Sequence, residues 1–250
     1  MVSIPRARFS LLQQNNLISV ADCIPFQYGG AEEAFLDLIG DHPLFPDHIH
    51  IWEFEIPESN RALSSGTDGI YIPDESSYRK TLRDVRRNIM AGYLNTTPSE
   101  IAIRYDETGK PVLENNAPTI FFSTSYTKGT WILGLSSGYT LGIDIEQVTN
   151  NDRFLSLAER FFYPEEWDAL SSLPGDEQIE AFFRVWTLKE AYLKATGTGF
   201  SGWNRLPDMS NIIMNRSATS TVFSLMHSPY HAQVQSSDEN CRALVFKKMT

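Results

Sequence analysis

Cysteine is scarce in this chain of 250 residues; there are two, Cys23 and Cys241. They form no C-x-x-C pair and no metal-ligand spacing, which argues against a thiolate zinc centre and leaves two free thiols of a reducing compartment. Basic residues are outnumbered, 21 against 31 acidic ones, for a net charge of −10. A broad nucleic-acid surface is thereby excluded, since it needs cations to neutralise phosphates. Long apolar runs are missing too. The longest are strand-sized, so no segment is long enough to span a bilayer, and the opening M-V-S-I-P-R-A-R-F-S has no signal-peptide core. The expected location is cytoplasmic. No G-x-S-x-G and no Ser/His/Asp order marks a hydrolase triad, and no period marks a solenoid. The histidines (His42, His48, His50, His227, His231) form no ligand set, although His48 and His50 share one strand face.

What is present suits a globular enzyme. The hydrophobic fraction of 42% and aromatic fraction of 12% can fill the core of one large domain or two smaller ones. Strand and helix signals are segregated, which reads as α+β. Residues 1–45 read as irregular, and Ser59–Gly69 as a polar loop. His48–Ile56 alternates and reads as a strand. Leu82, Val85, Ile89 and Tyr93 predict a helix over 74–94. Short strands follow near 101–104, 111–113, 119–123 and 130–136, then Leu141–Glu146. Gly138 marks the boundary between an N-terminal half with its extension, 1–138, and a C-terminal half, 139–250. In the latter, Asn150 or Asn151 caps a helix through Phe161. Pro164 opens another, with Glu165 and Glu166 in its first turn. A long helix runs from Asp176 to Thr196 and stops at Gly197 and Gly199. Weak strands are expected at 211–214, 221–226, 230–235 and 242–247.

Two patterns carry chemistry. On the long helix Ile179, Phe182, Phe183, Trp186 and Leu193 form one face, and Glu190 falls in its centre. A carboxylate there needs a partner, either a core Arg or Lys or a divalent cation. On the strand, Asp144 and Glu146 share one side while Leu141, Ile143 and Ile145 take the other. Two acids side by side either face water or hold a cation between them, and hard oxygen ligands suit Mg2+ or Mn2+. Lys194 lies one turn after Glu190, and Lys189 lies toward the other edge of the same face. Cations beside metal ligands make sense when a phosphate is shared between them. The plain reading is an i,i+4 surface pair. Arg79, Lys80, Arg83, Arg86 and Arg87 form a basic stripe on the first helix, suited to a phosphate, an acidic partner or solvent alone. Lys110 in its turn, and the hydroxyls of Ser123-Thr124-Ser125-Tyr126 at a strand end, are further candidates for phosphate oxygens.

L-G-I-D-I-E at 141–146, followed by W-T-L-K-E-A-Y-L-K-A-T-G-T-G at 186–199, resembles the 4′-phosphopantetheinyl transferases, most closely the larger surfactin-synthetase-activator type. F-F-Y-P-E-E-W-D-A-L at 161–170, T-G-K-P at 108–111 and the helix with Arg79 fit the same pattern, so the likeness covers 48–205. The resemblance implies two similar α/β halves, a pseudo-dimer, with coenzyme A in the cleft between them. It implies transfer of phosphopantetheine to a serine of an acyl or peptidyl carrier protein, with release of adenosine 3′,5′-bisphosphate. By the same resemblance Asp144, Glu146 and Glu190 hold Mg2+, and Lys194 and Lys189 lie near the pyrophosphate, Lys194 in direct contact. Arg79 helps hold the 3′-phosphate, Lys110 and Ser125 line the nucleotide site, and Glu166 is the base. Tyr126 stands where the family's N-x-S-H has its histidine, which removes a positive charge from the phosphate site. One chain completes one site, so a monomer is expected. Two rival readings are a catalytically silent relative that binds a carrier or coenzyme A, and an unrelated metal-dependent phosphatase or nuclease.

Overall fold

Two sheets meet edge to edge, and helices cover them. The computed structural model describes residues 4–13, 16–26, 39–45, 48–55, 75–114, 120–127, 130–138, 140–148, 153–214, 221–224, 230–238 and 241–248. For 4–8, 10–13, 16–26, 55, 75–79, 81, 147, 176, 221–224, 230–238 and 241–248 it describes the backbone alone. The Ser59–Gly69 loop and the Asn150 or Asn151 cap lie outside the described residues, as do the side chains of Cys23 and Cys241.

Strands β1 (Ile4–Gln13) and β2 (Asn16–Phe26) form an antiparallel hairpin, so the reading of residues 1–45 as irregular needs correction. Alternation is weak in this stretch. Strand β3 (His48–Glu55) pairs with the other edge of β1, in register from Arg6↔Glu55 to Gln13↔His48. Helix α1 (Glu75–Leu94) buries Val85, Ile89, Met90 and Ala91, and Asn95 ends it at φ 50°. The short strands β4 (Ile103–Tyr105) and β5 (Pro111–Leu113) pair with each other. In their turn Asp106 Oδ1 accepts from the backbone N–H groups of Thr108 and Lys110, both at 2.9 Å. Strands β6 (Phe121–Thr127) and β7 (Thr130–Ser136) complete a five-stranded sheet of order β2-β1-β3-β7-β6. Phe9, Trp52, Phe54, Phe122, Trp131 and Leu133 build its core with the buried side of α1.

Around Gly138 the chain passes to β8 (Thr140–Gln147), an edge strand of a second, four-stranded sheet of order β8-β11-β10-β9. Helices α2 (Arg153–Phe161), α3 (Pro164–Ser171) and α4 (Gly175–Thr196) follow, close to expectation. Residues 211–214 were expected as a strand and are instead in helix α5 (Ser210–Met214). Asp208 starts it by accepting from Ser210 N–H at 2.9 Å, and Ile213 packs into the second core with Phe154, Phe182 and Leu188. Strands β9 (Thr221–Ser224), β10 (Tyr230–Asp238) and β11 (Cys241–Lys248) finish the sheet, β11 lying parallel to β8. The fold is α+β.

Two close approaches place β8. A Cβ on Gly142 would lie 1.8 Å from the Ala191 carbonyl oxygen of α4, so helix and strand touch backbone to backbone. On its other edge β8 meets β6, where the Ile143 N–H donates to Ser123 Oγ at 3.1 Å. No helix among the described residues is long and apolar enough to cross a membrane.

Candidate active site

The C-terminal end of α4 overhangs the seam between β6 and β8 and leaves an open cleft of about 300 Å³. Its walls are the Thr108–Pro111 turn, Phe122–Thr124 of β6, Glu190, Leu193 and Lys194 of α4, and Gly197, Gly199 and Phe200 beyond the helix. Gly197 stops the helix at φ 68°. Lys110 ties the turn in place, its Nζ donating to the Ala195 carbonyl at 2.9 Å and to that of Leu141 at 3.4 Å.

Behind this wall stands a charged triangle. Lys194 Nζ lies 2.6 Å from Asp144 Oδ1 and donates to Ser125 Oγ at 3.0 Å. Ser125 Oγ in turn donates to the same Oδ1 at 2.8 Å. Asp144 is 2% exposed, and Glu146 on the same face of β8 is half-buried. Among the described residues its Oδ2 has no hydrogen-bond partner. Burial, then the charges of Asp144 and Glu190, push the Glu146 carboxyl up to about 8 against the pull of Lys194. Burial and then Asp144 push Glu190 up to about 7, opposed by Lys194 and a hydrogen bond from Trp186. The three acids therefore share one electrostatic environment that is short of positive charge.

A divalent cation fits that environment in donor chemistry: hard oxygens, an orphaned buried oxygen and mutual repulsion to relieve. Yet among the described residues no three His, Cys, Asp or Glu side chains are gathered as a ligand set. The present cation on Asp144 is Lys194.

A sequence profile of the 4′-phosphopantetheinyl transferase superfamily matches residues 140–245, which contain β8, α4 and the acids just described. The 4′-phosphopantetheinyl transferase HetI of Nostoc sp. strain PCC 7120 is 33% identical over 171 residues, covering 63% of this chain and 72% of HetI. The chain belongs to the 4′-phosphopantetheinyl transferases. Among its surfactin-type relatives, Sfp of Bacillus subtilis strain 168 is 31% identical over 128 residues, 51% of this chain and 55% of Sfp. The transferase gsp of Aneurinibacillus migulanus is 33% identical over 130 residues, 52% of each chain. The matches thus span about half of the length of these two relatives.

The structure of this transferase does not bring every expected residue to the cleft. Glu166 and Lys189 pair with each other at 2.8 Å, both side chains 0% exposed, and neither lines the cleft. Both Glu166 oxygens are engaged. Oε2 accepts the Tyr163 N–H at 2.9 Å and faces Lys189, while Oε1 accepts the Met209 N–H at 2.8 Å. Lys189 sits over the rings of Tyr163, Phe162 and Trp203, at 4.7, 5.5 and 5.6 Å from their centroids. Burial lowers its pKa and Glu166 opposes that shift. A base must reach its proton and a phosphate ligand must reach the phosphate; this pair is enclosed on all sides. It serves instead to lock α3 and α4 together.

The basic stripe of α1 also divides. Lys80, Arg83 and Arg87 are exposed, whereas Arg86 is buried with its guanidinium 5.3 Å from the Phe122 ring centroid. Burial lowers the Arg86 pKa, and Tyr105 opposes the shift. The Arg79 side chain lies outside the described residues. Tyr126 is exposed at the end of β6 and is not among the residues lining the cleft. Ser123, a candidate for phosphate oxygens by its place in the sequence, instead anchors the β8 backbone. Two further residues with a part in the site, Gly142 and Phe200, had no role assigned from the sequence. Gly142 admits α4, and a lone glycine inside a strand pattern signals such an approach. Phe200 stacks on Trp203 at 5.0 Å with a 19° interplanar angle and lines the cleft. An aromatic directly after the T-G-T-G run that closes the helix is its trace in the sequence.

Proposed function

We propose that this chain transfers the 4′-phosphopantetheine group of coenzyme A to a serine of an acyl or peptidyl carrier protein, depends on Mg2+ and releases adenosine 3′,5′-bisphosphate. The observation that carries this reading is the cleft wall on which Glu190 and Lys194 stand together, with Lys194 bonded to the buried Asp144. The serine oxygen forms a bond to the phosphorus that bears pantetheine. The bond from that phosphorus to the bridging diphosphate oxygen breaks, and the nucleotide departs with that oxygen.

Lys194 and Lys110 line the cleft and neutralise phosphate charge there. Asp144, Glu146 and Glu190 would hold the divalent cation, which when bound withdraws charge from the diphosphate oxygens. A water, and not Glu166, takes the serine proton in this reading, because Glu166 is enclosed by Lys189 and the Tyr163 and Met209 N–H groups. We take 1–138 and 139–250 as two halves flanking the cleft, so a monomer suffices. Lys80, Arg83 and Arg87 are the candidate contacts for an acidic carrier.

The test is mass spectrometry of an apo-carrier incubated with the protein, coenzyme A and Mg2+. A gain of one phosphopantetheine is expected, falling at least a hundredfold in rate (about 2.7 kcal/mol) in Asp144→Ala and Glu190→Ala. Full turnover in both variants would refute the metal assignment. Coenzyme A binding with no gain in mass would mark a silent relative.

A further inference from the structure

We propose that Ser125 is a positioning residue: it ties the Asp144 carboxylate by one oxygen and so presents the other as a ligand atom for a divalent cation. This rests on the metal reading above and gives Ser125 a role other than lining the nucleotide site.

Two donors converge on one oxygen. Ser125 Oγ donates to Asp144 Oδ1 at 2.8 Å and Lys194 Nζ reaches the same atom at 2.6 Å. Oδ2 accepts nothing from the described residues, in a residue that is 2% exposed. Buried polar atoms are almost always satisfied, and a hydroxyl and an ammonium could have been shared between the two oxygens. Their concentration on Oδ1 leaves one oxygen for a partner that is not a protein donor. A carboxylate oxygen is a hard donor atom, and the partner that suits it is a hard cation.

Ser125 is itself spent in this arrangement. Its single proton goes to Asp144 and it accepts one from Lys194. Ser123 and Thr124 line the cleft, whereas Ser125 does not. Two residues before it on β6, Ser123 holds the Ile143 N–H at 3.1 Å. One serine thus fixes the backbone of β8 and the next fixes its carboxylate, so a strand of the first sheet aims a ligand carried by the second. Outer partners of this kind orient metal ligands and typically set metal affinity within about 10–100-fold.

The experiment titrates the whole chain with Mn2+ alone, without coenzyme A or carrier, and follows free Mn2+ by electron paramagnetic resonance. Wild type, Ser125→Ala, Ser125→Thr and Asp144→Asn are compared, with circular dichroism melts to establish that each is folded. Ser125→Cys repeats the loss at nearly constant volume, in case alanine does not fold. We expect the Mn2+ Kd to rise about tenfold in Ser125→Ala and Ser125→Cys. It should stay near wild type in Ser125→Thr, which keeps the hydroxyl. Binding should be lost in Asp144→Asn. Loss in Asp144→Asn with wild-type affinity in Ser125→Ala and Ser125→Cys would overturn this inference and leave the metal reading standing. Equal binding by wild type and Asp144→Asn would overturn the metal reading and this inference with it.

Discussion

Lys189 and Lys194 stand on the same helix, in the same W-x-x-K-E-A-x-x-K motif, and each contacts a carboxylate. Their surroundings differ in kind. Lys189 is sealed between Glu166 and three aromatic rings, and both oxygens of its partner are occupied. Lys194 is partly exposed on a cleft wall, and its partner keeps one buried oxygen unbonded. A closed ion pair is architecture, because neither member can exchange its partner without unfolding the site. An open pair with an unmet acceptor can take up another ligand. The two lysines are thus told apart by what surrounds their partners.

The sharpest way to break this contrast is to remove the acid from each pair. Glu166→Ala strands a buried ammonium and is expected to lower unfolding free energy by about 3–5 kcal/mol in urea titration. Asp144→Ala should lower stability far less while turnover is lost. Glu166→Gln then separates structure from chemistry. Its kcat per folded molecule should stay within a few-fold of wild type, whereas a fall of about a hundredfold or more would restore Glu166 as a base. Gly142→Ala belongs with the large effects: its added methyl meets the backbone of Ala191 and Ala195, so α4 must shift, and a loss of about 3 kcal/mol or more should appear as a lowered Tm. Lys194→Met should raise the KM for coenzyme A and lower kcat, and Lys189→Met should change stability alone.

The pH dependence of stability probes the same contrast. Glu146 and Glu190 are raised to about 8 and about 7, so the folded state holds their protons more tightly than the unfolded chain does. Their contribution is complete below the ordinary carboxylate value of 4.5 and is lost as pH rises through about 8. Without a divalent cation, Tm should therefore fall between these limits, Mg2+ should restore it at the upper end, and Glu146→Gln should flatten the slope. His50 acts in the opposite sense from the first core. Burial, then His48 and His42, lower it to about 3 from 6.5, so stability is present above 6.5 and is lost as pH falls toward 3. Phenylalanine at position 50 should remove that acid limb; an unchanged acid limb in this variant would place its origin elsewhere.

Much of the frame was readable from local chemistry. Helix α1 came from a 3.6-residue apolar spacing, α3 from Pro164, and the end of α4 from Gly197. The D-x-E strand and the K-E-A-x-x-K helix led to the acids and to Lys194 because charge in apolar surroundings needs an explanation. The β1–β2 hairpin was missed because its pairing shifts register three times between Ile4 and Ser10, which breaks the alternation that marks a strand. Residues 211–214 look strand-like by composition, and the Asp208 cap turned them into a helix. Glu166 and Lys189 lay beyond reach, since pairing residues 23 positions apart depends on how α3 folds against α4.

Residue order alone determined the family, the apolar faces of the helices, the position of the helix-ending glycine and the identity of the acids, because each depends on neighbours within a few residues. Only the tertiary structure decided which lysine opens to the cleft and which is buried. It also brought Ser125 to Asp144 and left Oδ2 unbonded. Those outcomes depend on the docking of β6 against β8 and of α4 across Gly142, contacts between segments whose separation along the chain carries no information about distance in space.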